Sequence, residues 1–166
     1  MFSATSFDRP VARGDEKFYC GLDCPIADSV RNVEHTKAIG DTKFASASGE
    51  FFVIAVRSHF DKRTIGRRRG DRPLGLDPPT LTLMDGSGHS YPVSSGGQQA
   101  RETAHGPSAS LGERLRPGEG FETTWVFDLP AEAKNLRMFA GWYGFPSCLR
   151  IGDEASPRHG KTHFAL

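Results

Sequence analysis

Residues 115–130 read Leu-Arg-Pro-Gly-Glu-Gly-Phe-Glu-Thr-Thr-Trp-Val-Phe-Asp-Leu-Pro, and this stretch decides the fold. Pro117-Gly118 is a turn pair, because proline presets one backbone angle and glycine accepts the positive one that a tight turn needs. Alternation follows and predicts a strand with two different faces. One face carries Phe121, Thr123, Trp125 and Phe127, and the other carries Glu122, Thr124, Val126 and Asp128. Pro130 ends the strand because proline cannot donate to a ladder. The stretch predicts an antiparallel β-sandwich, with the aromatic face in its core.

A second strand is predicted for residues 50–60. Residues 51–56 read Phe-Phe-Val-Ile-Ala-Val, which are β-formers almost without interruption. Since apolar side chains occupy both alternating positions, we expect burial on both faces, as for a central strand. Further elements are predicted as strands at 28–38, 80–84, 89–93, 135–142, 148–151 and 161–166, a hairpin turn at 85–88, a crossover loop at 61–79 and a short helical turn near 98–104.

The composition is that of one folded domain. The chain has 166 residues, of which 37% are hydrophobic and 25% charged. Its 19 glycines and 11 prolines fall between the apolar runs, as short strands joined by frequent turns require. We expect a flexible tail over residues 1–16 and a single all-β domain of roughly seven to nine strands over residues 17–166.

Charge and hydropathy bear on partners and on compartment. The net charge of +1 creates no global field for nucleic acid or for an anionic membrane. The sequence contains no run of about eighteen apolar residues, so no transmembrane segment is predicted. A secretion signal has a basic region followed by an apolar region. Residues 1–10 contain neither, so no secretion signal is predicted in the sequence as written.

The three cysteines are Cys20, Cys24 and Cys148. An odd number leaves at least one thiol free if a bridge forms within the chain. Cys20 and Cys24 could pair across a small loop, which would imply an oxidising compartment. Three reduced, partly buried thiols are the alternative, and we prefer it.

Three blocks of sequence, in order, carry a resemblance to a known family. They are residues 64–74 (Thr-Ile-Gly-Arg-Arg-Arg-Gly-Asp-Arg-Pro-Leu), residues 115–119 leading to 126–130, and residues 151–154 (Ile-Gly-Asp-Glu) continuing to His159 and Lys161. This order resembles the bacterial telokin-like domains, an immunoglobulin-like family of unknown function. The resemblance implies an immunoglobulin-like β-sandwich in an extracytoplasmic location, periplasmic or secreted. It implies no catalytic residues.

Arginines are dense in one part of the chain. The cluster consists of Arg57, Arg63, Arg67, Arg68, Arg69 and Arg72. Guanidinium groups bind phosphate or carboxylate through paired hydrogen bonds, so residues 63–72 are a candidate anion or nucleic-acid contact, with Phe60 or Tyr91 for base stacking. The preferred alternative is a solvated loop whose arginines pair with Asp61, Asp71, Asp77 or Asp85. Nucleic acid is further disfavoured by the near-neutral charge and the absence of a recognised motif.

Aromatic residues mark a second candidate contact. Trp142 and Tyr143 are flanked by Gly141 and Gly144, where a predicted strand ends. Such a cluster is either an exposed surface for a partner or ordinary packing beneath a loop, and the two are equally favoured.

The residues that could carry metal or catalytic chemistry form no complete motif. Cys20-x3-Cys24 and His159-x3-His163 have metal-ligand types, but two histidines four apart on a strand lie about 13 Å from one another. No Gly-x-Ser-x-Gly elbow or phosphate-binding glycine loop occurs, and nothing brings two of Glu119, Asp128, Asp153 and Glu154 together. The sequence predicts no catalytic residue, cofactor or metal. It predicts a non-enzymatic binding or structural module of the bacterial cell envelope, with an unidentified protein or envelope partner. The alternative is anion or nucleic-acid binding through residues 63–72.

Overall fold

The computed structural model describes residues 10–19, 26–41, 43–61, 70–76, 78–108, 113–141 and 163–166. Within these ranges the chain forms twelve strands and one helix. The strands are β1 (Lys17–Tyr19), β2 (Ile26–Thr36), β3 (Ala38–Ile39), β4 (Phe44–Ala45), β5 (Gly49–Phe60), β6 (Leu74–Leu76), β7 (Thr80–Met84), β8 (Ser90–Tyr91), β9 (Glu113–Leu115), β10 (Gly120–Pro130), β11 (Arg137–Gly141) and β12 (Phe164–Ala165), and the helix is α1 (Ser95–His105).

Two four-stranded sheets form the body of the fold. The first has the strand order β1-β2-β5-β10 and the second has the order β12-β11-β7-β8. Two short ribbons, β3-β4 and β6-β9, accompany them, and the pairings between these described strands are antiparallel. The predicted all-β sandwich is confirmed. The eight strands of the two sheets match the predicted number, and the ribbons add four that are too short for an alternation pattern to reveal.

The main core lies between the two sheets. The first sheet contributes Val30, Phe52, Ile54, Val56, Phe127 and Leu129, and the second contributes Leu81, Leu83, Met138 and Phe164. Burying each such side chain fully contributes about 1.5–3 kcal/mol to folding. Trp125 is half-buried against this core, so the aromatic face of β10 points inward as predicted.

The outer face of the first sheet is also covered, in its middle. Phe51 and Val126 are fully buried there and pack with Ile39 and Ala100 of α1. Burial on both faces of β5 is therefore confirmed. Val126, however, belongs to the face of β10 that alternation assigned away from the core. It is buried because helix α1 lies over it, and nothing within β10 itself reveals that cover.

The predicted turns and the predicted helix are present. Gly118 has a φ of 94° in the turn between β9 and β10, and Gly88 has a φ of 90° in the hairpin between β7 and β8. Helix α1 begins three residues before the predicted turn, because Ser94 caps it by accepting the N–H of Gly97 at 3.2 Å. The predicted crossover at 61–79 contains β6. The predicted strand at 148–151 lies outside the described residues.

The two ends of the described chain meet on the second sheet. The Val11 N–H donates to the His163 carbonyl at 2.8 Å, and the Ala165 N–H donates to the Val11 carbonyl at 3.1 Å. β12 pairs with β11, so the predicted closing strand is confirmed. The domain bounds, a tail at 1–16 and a domain at 17–166, stay predictions. No helix in the described ranges is long and apolar enough to cross a membrane.

Candidate functional site

The residues singled out for partner contact fall mostly beyond the described ranges. Arg63, Arg67, Arg68 and Arg69, together with Trp142 and Tyr143, lie outside the described residues. Arg72 is described and is exposed to solvent. The contact predicted for residues 63–72 therefore stays a prediction, and Arg72 is the one arginine of this range that the structure describes.

Arg72 leads into the β6-β9 ribbon, whose second strand carries Arg114 and is followed by Arg116. In this ribbon Leu74 pairs with Leu115 and Gly75 pairs with Arg114. Leu115 is buried and, with Leu74, packs against Phe60 and Phe121. Since side chains alternate along a strand, Arg114 and Arg116 lie on the face opposite Leu115, and both are exposed. We call Arg72, Arg114 and Arg116 the ribbon arginines.

The face that Arg114 occupies is open. Its cross-strand partner Gly75 has no side chain, and a Cβ built there meets no heavy atom within 4 Å in the described structure. Glycine at such a position allows a ligand to approach the backbone closely. Arg114 of β9 and Arg116 just after it thus lie two positions apart in the chain, and the described structure leaves free space beside Arg114.

A tight turn attaches the ribbon to the sandwich. The Gly118 N–H donates to the Phe60 carbonyl at 2.6 Å, and the Phe60 N–H donates to the Glu119 carbonyl at 2.8 Å. The Glu119 carboxylate accepts the backbone N–H of Arg116 at 2.7 Å. The ribbon is therefore fixed to the end of β5, and one oxygen of the Glu119 carboxylate is bound to backbone.

Arg114 and Arg116 were not singled out from the sequence, although a signal for them was present. Residues 113–116 read Glu-Arg-Leu-Arg, in which basic and apolar residues alternate as on a half-buried strand. Only the pairing with β6 brings these arginines into the ribbon that follows Arg72, about forty positions earlier in the chain.

Asp85, proposed above as an arginine partner, serves its own hairpin instead. Its Oδ1 accepts the N–H groups of Ser87 at 2.8 Å and His89 at 2.9 Å, and its Oδ2 accepts the Tyr91 hydroxyl at 2.9 Å. Burial is the largest influence on the pKa of Asp85 and raises it, but the hydrogen bonds from Tyr91, His89 and Ser87 together outweigh burial, so the pKa is lowered. The same bond to Asp85 raises the pKa of Tyr91.

The two aromatic residues considered for base stacking are not available for it. Phe60 is fully buried beneath the ribbon, so the proposal that it stacks on a base is wrong. Tyr91 is half-buried, and its hydroxyl is bonded to Asp85. The arginine-rich end therefore presents charge without either of these stacking groups.

The described acidic residues considered for catalysis do not come together. Glu119 and Asp128 stand at opposite ends of β10, about 30 Å apart at the rise of a strand. Asp128 accepts the Ser46 hydroxyl and the N–H groups of Ala47 at 3.0 Å and Ser48 at 3.2 Å, which orders the loop between β4 and β5. Glu154 and Asp153 lie outside the described ranges.

The candidate metal ligands are described only in part. Cys20, Cys24, Cys148 and His159 lie outside the described residues. His163 is buried, and its ring lies 5.6 Å from the ring of Phe139. Among the described side chains, no group of three His, Cys, Asp or Glu is arranged to hold a metal ion.

No protein-family model matches the sequence, and no curated protein matches it. Among solved structures, a secreted protein of Mycobacterium tuberculosis, MPT63, is similar over 95% of this chain and 98% of its own, with a TM-score of 0.52 and 13% identity. An uncharacterised β-sandwich protein of Clostridium difficile is similar over 97% of this chain and 95% of its own, with a TM-score of 0.51 and 14% identity. Identities this low show the fold alone: the chain shares the β-sandwich of these proteins.

Proposed function

We propose that this protein is a non-enzymatic binding module of the bacterial cell envelope, of the telokin-like immunoglobulin-like type. Its contact surface is the arginine-rich end of the sandwich, and its partner there is anionic. The observation that carries this proposal is the set of ribbon arginines. Arg72 comes from one segment of the chain and Arg114 and Arg116 from another, and all three are exposed.

The chemistry of these residues supports an anionic partner. Arginine keeps its charge at any physiological pH, and its planar donors match carboxylate and phosphate groups. Gly75 leaves the space beside Arg114 open, while the turn at Gly118 holds the ribbon against β5. In the sequence, Arg63, Arg67, Arg68 and Arg69 lie between the end of β5 and Arg72, which adds basic residues to this part of the chain.

A charge-matched pair of variants tests the anionic contact. We expect Arg114→Ala with Arg116→Ala to elute from immobilised dextran sulfate at a clearly lower salt concentration than the wild type. With two cations removed, binding releases fewer counterions from the polyanion. The control is Arg31→Ala with Lys37→Ala, which removes two exposed charges on and after β2. Equal elution of the two double variants would show that only net charge matters and would contradict the ribbon as the contact.

Nucleic acid is the alternative partner for the same surface. The burial of Phe60 and the packing of the Tyr91 ring against the main core argue against it, because binding without stacking leaves only phosphate contacts. Double-stranded DNA run as a second probe separates the two ideas. A protein that binds DNA more tightly than dextran sulfate of equal charge at the same salt concentration would favour the alternative.

The envelope location rests on the three-block resemblance and on the β-sandwich fold that the chain shares with a secreted protein. Fractionation of the producing bacterium, followed by immunodetection, tests it directly. We expect the protein in the extracytoplasmic fraction. Detection only with cytoplasmic markers would overturn the location without affecting the arginine surface.

A further inference from the structure

Strand β10 is the last strand of the first sheet, so among the described residues one side of its backbone has no neighbouring strand of that sheet. Its other side pairs with β5 along its whole length. The groups that point away from β5 include the Thr124 carbonyl and both the N–H and the carbonyl of Val126. An edge of this kind is a ready template for another strand.

The side chain of Gln98, in the first turn and a half of α1, occupies this template. Its Oε1 accepts the Val126 N–H at 3.0 Å, and its Nε2 donates to the Thr124 carbonyl at 3.0 Å. These two backbone groups flank Trp125 and point the same way, so one carboxamide takes the place of a residue in a neighbouring strand.

Two serines extend the same cover. The Ser108 hydroxyl donates to the Thr124 carbonyl at 2.9 Å, and the Ser94 N–H donates to the Val126 carbonyl at 2.8 Å. Beyond them, Val93 forms a bridge with Phe127. We call Ser94, Gln98 and Ser108 the edge cover. These residues, which lie before, within and after α1, provide hydrogen-bond partners for the backbone groups of Thr124 and Val126 in the middle of the β10 edge.

Helix α1 is built for this contact more than for its own stability. Gly96 and Gly97 lie in its first turn, where each costs about 1 kcal/mol relative to alanine. Both glycines permit close approach: a Cβ on Gly97 would lie 2.7 Å from Cγ1 of Val126, and one on Gly96 would lie 2.9 Å from Cζ of Phe44. The helix therefore depends on its docking to the sheet.

The segment beneath the cover is itself prone to pair. Residues 123–127 read Thr-Thr-Trp-Val-Phe, which are uncharged β-formers without proline, and the charged Glu122 and Asp128 flank them. Two identical antiparallel edges are complementary about a two-fold axis, so a second copy of this edge is the partner that it fits best.

We propose that the edge cover is a device that keeps this protein from pairing with itself through β10. When the Gln98 carboxamide is lost, the Val126 N–H loses its acceptor and the Thr124 carbonyl keeps only the Ser108 hydroxyl. Helix α1 then separates from the edge more readily, and β10 of a second copy adds to the sheet in antiparallel orientation. The ligand for this latent site is the protein's own edge strand.

The adjacent glutamines of α1 provide a matched test. Gln98→Ala is compared with Gln99→Ala, which makes the same chemical change on the exposed side of the helix. We expect Gln98→Ala to double its mass with rising concentration in sedimentation experiments, while Gln99→Ala and the wild type stay at the mass of one chain. A monomeric Gln98→Ala at every concentration would overturn the proposal.

A charged substitution distinguishes pairing through the β10 edge from non-specific aggregation. Gln98→Lys loses the same two hydrogen bonds but places a charge at the edge, which disfavours strand addition. We expect it to stay monomeric. Association of Gln98→Lys as strong as that of Gln98→Ala would mean that a loosened protein simply aggregates, and it would contradict the proposal.

Hydrogen exchange in the wild-type protein keeps the proposal testable if Gln98→Ala fails to fold. The Val126 amide should exchange together with the amides of α1, in a partial opening, and on the order of tenfold faster than the Trp125 amide, which faces β5. A Val126 amide that exchanges as fast as an amide in an unfolded peptide would show that Gln98 does not hold this N–H, and the proposal would fall.

Discussion

At the scale of single residues, Asp85 shows how one carboxylate determines a turn. It accepts two backbone N–H groups and the Tyr91 hydroxyl within the hairpin that joins β7 to β8. Asparagine in its place retains one acceptor oxygen but replaces the other with an NH2 group and removes the charge. We therefore expect Asp85→Asn to lower the melting temperature at neutral pH.

The pH dependence of this effect has a definite sign. The folded-state pKa of Asp85 is lowered from 3.8, so its ionised form stabilises the fold above that pH, and the stabilisation disappears as the pH falls through the lowered pKa. The difference in melting temperature between wild type and Asp85→Asn should shrink below pH 4 in calorimetric scans. A difference that is unchanged at pH 3 would contradict this assignment.

At Gly97 we expect substitution by alanine to destabilise the helix region, although alanine is ordinarily the better helix former. Alanine normally stabilises a helix relative to glycine by about 1 kcal/mol. At this position a Cβ would lie 2.7 Å from Cγ1 of Val126 and 3.0 Å from Cε1 of Phe51, both in fully buried residues. We expect Gly97→Ala to destabilise the protein by about 1–3 kcal/mol in urea unfolding. Gly75→Ala, which meets open space, is the control and should be nearly neutral.

At the scale of elements, alternation predicts the long strands and fails for the ribbon strands. β5 and β10 are 12 and 11 residues long, so several repeats of the period are visible in each. The ribbon strands are two or three residues long, too short for a period to appear. The β6-β9 ribbon also depends on partners distant in sequence: β6 is held by β9, and β9 is placed by the turn at Gly118.

The same distinction explains which functional residues the sequence revealed. Arg72 stands out because arginines surround it in the chain. Arg114 and Arg116 stand out only after β9 is paired with β6. Gln98 carries no sequence signal at all, since its role is to bond with the backbone of β10, and any residue's backbone has the same groups.

At the scale of the whole molecule, the two ends of the described chain stabilise one sheet. Phe164 is fully buried in the main core, pairs through β12 with Met138 of β11, and forms a bridge with Val11. We expect Phe164→Ala to cost about 3–5 kcal/mol, a large share of the 5–15 kcal/mol that stabilises a typical domain.

Chemical unfolding followed by tryptophan fluorescence measures this cost, and Phe164→Leu is the comparison because it retains most of the buried volume. It should lose much less stability than Phe164→Ala. If the two variants unfold at the same denaturant concentration, Phe164 does not belong to the cooperative core.

The sequence by itself determined the class of fold, its longest strands and its turns, because alternation, β-propensity and turn chemistry act over a few neighbouring residues. Tertiary structure alone decided which faces are covered and which residues meet. Val126 is buried because α1 lies over it, Arg114 joins the ribbon that follows Arg72 because β6 pairs with β9, and Gln98 reaches the edge of β10. Each of these contacts joins positions far apart in the chain, where the free energy comes from packing and pairing that no local pattern records.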